Sequence, residues 1–348
     1  MKSKGLVYLG MSGGVDSSVS AALLLRAGYE VVGVFIKVWE PPGYKCTWRE
    51  DRREAMRVAA ALNIPLLTLD LEAEYKREVV DYMIKEYQSG RTPNPDVMCN
   101  KVIKFGAFYD WARKRGADLV ATGHYAQVLN GELTVSKDQN KDQTYFLWNL
   151  RGEQLQHIIF PIGHLTKPEV RTLAKKFKLP NAEKRDSQGL CFIGQIDLKE
   201  FLGRYLKLKA GQVLNEQGEV IGEHDGAVLY TVGERHGFTV KPNSPVEQPY
   251  FVTERNLKAN TITVGRSITQ TMTPKVFLEQ INWLSEPPQE GKKYLARIRH
   301  RGELYPCQVK ISQSKIEVVF LKPPFALAAG QSLVMYSQNR VLGGGVIV

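Results

Sequence analysis

Apolar positions in the first third of the chain alternate between two periods. Leu6 to Leu9 is a short apolar run between glycines, the pattern of a buried strand. Ser17 to Arg26 then carries Val19, Ala22 and Leu23 at helical spacing, and Gly28 is its stop. Val31 to Ile36 is apolar and largely β-branched, a second strand. From Arg49 to Leu62, residues Ala55, Val58, Ala59 and Leu62 form one helical stripe, closed by Pro65. Leu66 to Leu71 supplies a third strand, and Glu72 to Gln88 a charged helix. A loop carrying Pro93 and Pro95 follows. Phe105 to Arg115 reads as a helix and Leu119 to Thr122 as a further buried strand. Such alternation predicts a parallel sheet with helices on both faces, and a ligand site beyond the carboxyl ends of its strands.

The later pattern differs. Thr166 can cap a helix with Pro168 in its first turn and a face of Val170, Leu173, Ala174 and Phe177. From about residue 207 short runs rich in Val, Ile, Thr and Tyr are separated by glycine turns, an all-β pattern. Breaks at Met272-Thr273-Pro274 and Pro287-Pro288 separate a last set of strands, which ends in Val341-Leu342-Gly343-Gly344-Gly345-Val346-Ile347-Val348.

Composition narrows the function classes. The chain has 348 residues, more than one core usually serves, and 43% are hydrophobic, which fits a folded protein. No apolar run reaches the roughly 18 residues of a membrane helix. Met1 to Gly5 runs straight into the first strand without a secretory pattern, so a cytosolic protein is expected, with no membrane partner. Cysteines stand at 46, 99, 191 and 307, with no Cys-x-x-Cys pair, so a zinc site is not expected. A net charge of +11 suits a polyanionic partner, because neutralised phosphates release counterions. It equally suits a merely basic enzyme.

Between the first strand and the first helix stands Gly10-Met11-Ser12-Gly13-Gly14-Val15-Asp16-Ser17-Ser18. Glycines admit phosphate oxygens close to the backbone, and the amides at the helix start point at an anion. Asp16 is a candidate ligand for Mg2+ beside those phosphates. The Gly-Lys-Ser/Thr of a γ-phosphate loop is missing. The loop matches the PP-loop ATP pyrophosphatases. That resemblance implies cleavage between the α- and β-phosphates of ATP and transfer of AMP to a substrate oxygen.

Two cysteines sit in segments expected to be loops: Asn94-Pro95-Asp96-Val97-Met98-Cys99-Asn100 and Asp186-Ser187-Gln188-Gly189-Leu190-Cys191-Phe192-Ile193-Gly194. A thiolate attacks sulfur or an activated carbon, and Asp96 could move a proton. Cys307, in a strand-like segment, reads as core, and Cys46 as packing. Lys292, Lys293, Arg297, Arg299 and Arg301 cluster. If 295–301 is one strand, its three arginines share a face, either a solvated edge or an RNA-contacting one.

With these segments together, the chain resembles the tRNA-uridine 2-sulfurtransferases, the bacterial tRNA 2-thiouridylases, nearly end to end. Ala121-Thr122-Gly123-His124-Tyr125 and Lys141-Asp142-Gln143-Thr144-Tyr145-Phe146-Leu147 also carry the match. The resemblance implies a PP-loop α/β domain over 1–206, a central β domain over 207–271 and a C-terminal β-barrel over 272–348. It puts ATP on Gly10, Met11, Ser12, Gly13, Gly14, Val15, Asp16 and Ser17, with Ile36 and Gly123 beside the adenine. It puts the target base at Asn94, Pro95 and Asp96. It implies tRNA contacts at His124, Lys141, Asp142, Gln143, Arg299, His300 and Gln331. The implied reaction adenylates the carbon-2 oxygen of the wobble uridine. Sulfur then comes from a persulfide on Cys191, loaded by a sulfur-carrier protein or a cysteine desulfurase. Cys99 assists, and a Cys99–Cys191 disulfide remains to be reduced. Gly233-Glu234-Arg235-His236-Gly237-Phe238 departs from the family's usual Gly-Gln-Arg-Lys-Gly-Leu. Two other functions share parts of these signals: a different PP-loop adenylating enzyme, such as an amide-forming or small-molecule ligase, and an RNA-binding protein with a degenerate nucleotide site.

Overall fold

A computed structural model describes residues 3–44, 48–185, 197–240, 249–266, 274–312, 315–324 and 326–348. Among these, the first sheet is built from β1 (Leu6–Gly10), β2 (Glu30–Lys37), β3 (Leu66–Asp70), β4 (Leu119–Thr122) and, after a small hairpin of β5 (Gln127–Leu129) and β6 (Glu132–Thr134), β7 (Ile158–Ile159). All its pairings are parallel, in the order β3-β2-β1-β4-β7. The order reverses between β1 and β4, so the loop after β1 opens at the topological switch point, where such sheets bind ligands.

Strand alternation sends side chains to both faces. Val7, Leu9, Val31 and Phe35 pack with the helices Val15–Arg26, Trp48–Ala61 and Lys167–Lys176. Tyr8, Val34 and Ile36 meet the helical stretches of residues 72–88 and 95–114 on the other face. The expected caps are present. Gly28, just past the first helix, has φ +88, the left-handed conformation that glycine adopts without a Cβ clash. Thr166 and Glu169 form a capping box.

One element differs from the pattern in a way that matters. The segment from Asn94 to Asn100 is not a loop. Asn94 caps a helix, its side chain accepting from the Val97 amide at 3.3 Å, and Pro95 takes the first helical position. Helix continues through a wide π-type stretch, Cys99–Phe108, into Tyr109–Lys114. Pro95 starts a helix here because its missing N–H falls where no intrahelical bond is made.

The middle sheet joins β8 (Gly211–Leu214), β9 (Val220–His224), β10 (Phe238–Val240), β11 (Phe251–Asn256) and β12 (Thr261–Gly265) around Val213, Tyr230, Val252 and Ile262. The last unit is a closed barrel of β13 (Lys275–Trp283), β14 (Tyr294–Arg297), β15 (Tyr305–Ser312), β16 (Lys315–Phe320), β17 (Ser332–Ser337) and β18 (Arg340–Ile347), with the β13–β18 pairing closing the ring. The β5–β6 hairpin, which follows β4 of the first sheet, is stitched onto β18 through Thr134 and Arg340. The arginine-bearing segment is not one strand: β14 ends at Arg297, and the chain turns through Arg301 at φ +58. Strand alternation therefore does not run through all three arginines. Cys307 lies in β15, fully buried, and burial pushes its thiol up to about 12.

Candidate active site

The phosphate loop is tied to itself and to a distant segment. Ser17 Oγ donates to the Gly14 carbonyl at 3.1 Å and accepts from the Ser12 amide at 3.3 Å, and Ser18 Oγ donates to the same carbonyl at 2.8 Å. Asn181 Nδ2 donates to Gly13 O at 3.0 Å and to Ser18 Oγ at 2.9 Å. Lys184 Nζ reaches Gly13 O at 3.3 Å and Asp51 at 2.6 Å. Gly123, just after β4, stands against the helix start: a Cβ there would lie 2.7 Å from the Ser17 amide nitrogen. Ile36 is buried in β2 beside this end of the sheet. Gly10 to Ser17, Gly123 and Ile36 thus gather at the carboxyl ends of β1, β4 and β2, with the first helix's amides aimed outward from the switch point.

Asp16 has a partner that the sequence pattern did not expose. Lys167 Nζ bonds both its oxygens, at 2.8 and 2.9 Å, and Tyr125 OH donates to one at 3.0 Å. Among the described residues, no group of three His, Cys, Asp or Glu side chains could hold a metal. These residues therefore do not fit a protein-held Mg2+: the loop's single carboxylate already has both oxygens engaged by an ammonium group.

A cavity of about 290 Å3 opens where segments distant in sequence meet. Asn94, Pro95 and Asp96 bring the capped helix start to its wall; Phe146 comes from the segment before β7, and His300 and Gln331 from the barrel. Gln331 Nε2 donates to the carbonyls of Thr92 at 3.1 Å and Pro93 at 3.4 Å, which clamps the barrel to the helix start. Phe146 and His300 stack with centroids 4.3 Å apart. Burial first, then the charges of Arg301 and Arg297, push His300 down to about 4, so it is neutral at physiological pH. Tyr145 holds the floor, its OH donating to Ser332 O at 2.9 Å and Ile298 O at 3.3 Å.

Several expected RNA contacts lie inside instead. Asp142 is 2% exposed and accepts from the Ser136 amide at 2.8 Å and Thr144 Oγ1 at 2.6 Å. Gln143 brackets Tyr125, its Oε1 accepting from the Tyr125 amide at 2.9 Å. His124 is buried between Phe105 and Phe160. Lys104 Nζ lies 3.3 Å from its Nε2; an ammonium only donates, so Nε2 accepts and Nδ1–H faces Thr122 Oγ1 at 2.7 Å. Burial, reinforced by Lys104, holds His124 well below its usual range. Arg299 is half-buried and donates to Val232 O and, at 3.0 Å, to Ala326 O. It pins the divergent 233–238 segment to the barrel. Lys141 is partly exposed.

Cys99 is fully buried in the second turn of the helix whose first turn carries Asp96, three residues earlier and on the same face. Cys191, with the whole segment Asp186 to Gly194, lies outside the described residues, as does Cys46. Lys167, Lys184 and Asn181 had no functional signal in the sequence, and Tyr125 stood there only as the last residue of a matched motif, with no role. Lys167 reads there only as the first residue after a helix cap.

Comparison with known proteins gives one family along the whole chain. The profile of the tRNA methyl transferase HUP domain matches residues 5–195, that of the tRNA methyl transferase PRC-barrel domain residues 199–266, and that of the aminomethyltransferase beta-barrel domain residues 273–347. Over 355 residues the chain is 43% identical to the tRNA-specific 2-thiouridylase MnmA of Nitrosomonas eutropha, covering 99% of this chain and 98% of that protein. It is 44% identical to the protein of the same name from Pediococcus pentosaceus, covering 99% and 95%. The Enterococcus faecalis protein of that name is 43% identical, covering 99% and 96%.

Proposed function

The chain belongs to the tRNA-specific 2-thiouridylase family, and from that premise we propose that it replaces the carbon-2 oxygen of a tRNA wobble uridine by sulfur, driven by ATP. The observation that carries this reading is the cavity shared by Asn94, Pro95, Asp96, Phe146, His300 and Gln331, which come from four separate stretches of chain. Its size is at the low end of small-ligand pockets, suited to one base turned out of its stack onto an aromatic wall. Methyl transfer, for which two of the matching domain families are named, does not fit the residues. A Ser-Gly-Gly-x-Asp-Ser loop activates oxygen with AMP, and the cysteines are sulfur chemistry.

ATP binds with its phosphates on the amides of Gly10 to Ser17, and magnesium arrives as part of the MgATP substrate. The uracil O2 attacks the α-phosphorus, and the bond to the bridging oxygen breaks. Pyrophosphate leaves with that electron pair. The N3 proton passes to a base, the role we give Asp96. A sulfur-carrier protein or cysteine desulfurase has loaded Cys191 with a persulfide. Its terminal sulfur attacks C2, and AMP leaves with the C–O electron pair. The Cys99 thiolate then attacks the Cys191 sulfur. The S–S bond to the base breaks, its electrons stay on the base sulfur, and N3 regains a proton. A Cys99–Cys191 disulfide remains, reduced by an external dithiol.

RNA meets the protein, on this reading, at Asn94 to Asp96, Lys141, His300 and Gln331. His124, Asp142, Gln143 and Arg299 act from behind, by holding those groups in place. We place the domain limits at 206 and 271. Among the described residues no helix is long and apolar enough to cross a membrane, and we assign the work to the cytosol. Incubation with unmodified tRNA, ATP and a desulfurase-charged sulfur source, followed by nucleoside mass spectrometry, should yield 2-thiouridine with one pyrophosphate per sulfur. Pyrophosphate release that ignores tRNA, with no 2-thiouridine, would refute the proposal in favour of a small-molecule ligase.

A further inference from the structure

We propose that Lys167 is a catalytic residue of the phosphate site: its ammonium neutralises the phosphate chain of ATP as pyrophosphate leaves. The inference rests on the adenylating reaction given above. The loop from Gly10 to Ser18 contains no lysine or arginine, and its one charge, Asp16, is negative. Asp16 stands in the first turn of the helix whose amides face the anion. Substrate binding therefore brings phosphates to a helix end that already carries a carboxylate, and like charges repel. The magnesium that arrives with ATP offsets part of that charge, and a protein cation beside Asp16 would offset more of it as pyrophosphate leaves.

Lys167 is the group in reach. Its ammonium bonds both Asp16 oxygens, and its side chain is 13% exposed, so little water screens it. Its backbone is fixed: it is the first residue of a helix whose capping box is closed, and its own amide donates to Asp138 Oδ2 at 2.9 Å. Tyr125 OH steadies the same carboxylate. The other lysine at the loop, Lys184, is 2.6 Å from Asp51 and reaches a carbonyl of the loop rather than its anion-facing side. Two equal bonds to Asp16 let Lys167 give one hydrogen to a phosphate oxygen and keep the other bond. When the uracil O2–phosphorus bond forms and the bridging P–O bond breaks, the electron pair goes to pyrophosphate. Lys167 stays protonated throughout and meets the growing charge with a hydrogen bond, which strengthens as the charge develops. Asp16 is then a positioning residue for Lys167 rather than a metal ligand.

Calorimetric titration with inorganic pyrophosphate, and separately with AMP, tests this on the full chain. Lys167→Ala should bind pyrophosphate about 10- to 100-fold more weakly, with AMP affinity changed by less than about twofold. Its tRNA-dependent pyrophosphate release should slow by roughly 100- to 1,000-fold. Lys167→Arg should recover most of the pyrophosphate affinity, and Lys137→Ala, an exposed neighbour paired with Glu169, should match the wild type. Unchanged pyrophosphate affinity in a folded Lys167→Ala protein overturns the proposal. So does an equal loss for AMP and pyrophosphate, which marks a merely structural ion pair. The titrations use no tRNA. A wild type that binds pyrophosphate through Lys167 yet makes no 2-thiouridine would refute the thiolation reading and leave this one standing.

Discussion

Replacing Arg299 by alanine separates two roles that the sequence alone left together. If Arg299 touched an RNA phosphate, its loss would lower the slope of log affinity against log salt by about 0.7 to 0.9, one counterion's worth. The structure gives its guanidinium two carbonyl partners inside the protein, Val232 O and Ala326 O. Hydrogen bonds to a charged group contribute about 1.5–3 kcal/mol each, and losing the donor strands two acceptors. The site is half-buried, so water can reach part of the gap, and burial already holds the guanidinium below its usual range. The lower end, about 3 kcal/mol for the pair, is the expected loss of stability. Arg299 precedes His300 and pins the segment carrying Gly233, so the cavity wall should shift as well. We expect Arg299→Ala to lower the urea midpoint and to weaken tRNA binding by a similar factor at every salt concentration, with ATP binding intact. Filter binding across a salt series, beside urea unfolding, reads both quantities. A slope reduced by about one unit, with the urea midpoint unchanged, would refute the internal role.

Gly123→Ala should abolish ATP binding at a stability cost of about 1–3 kcal/mol, because its Cβ would stand 2.7 Å from the Ser17 amide nitrogen, and backbone cannot step aside as a side chain can. Gly28→Ala, with nothing within 4 Å but φ +88, should cost about 1 kcal/mol and leave nucleotide titrations unchanged. Burial, with Arg301 and Arg297 beside it, holds His300 down to about 4 in the folded protein, below the 6.5 of an ordinary histidine. The unfolded chain therefore binds more protons between those values, and stability should fall as pH drops from about 6.5 towards 4. His300→Gln should make that decline shallower in urea midpoints measured across the window, and an identical profile would contradict the assignment. Cys307→Ala should keep full thiolation activity, since Cys307 packs in the core of the barrel, where burial raises its thiol to about 12. Cys191→Ser should fail to take up labelled sulfur by intact mass. Cys99→Ser should load a persulfide on Cys191 and stall; a persulfide on Cys99 in the Cys191→Ser protein, with tRNA still thiolated, would reverse the two roles.

Much of the first sheet was legible in the sequence, because local forces decide it. Short apolar runs and a helical stripe sit at the periods of strand and helix, and Gly28 and Thr166 end and start helices by rules that act within a few residues. The phosphate loop was legible for the same reason: its glycines, serines and helix start are contiguous. The helix from Pro95 was misread because proline can stop a helix or begin one, and only the Asn94 cap, closed in three dimensions, decides which. Whether the arginine-bearing stretch forms one strand was not legible, because alternation says nothing about where a strand stops. What no local pattern could contain was partnership across the chain. Asp16 meets Lys167 from 151 residues away, and Gln331 reaches the carbonyl of Thr92 across 239. Arg299 turns inward to Val232 and Ala326. These contacts exist only after the sheet, the middle strands and the barrel have packed. A charge read along the sequence carries no record of which way its side chain will face, since burial and pairing belong to the closed fold.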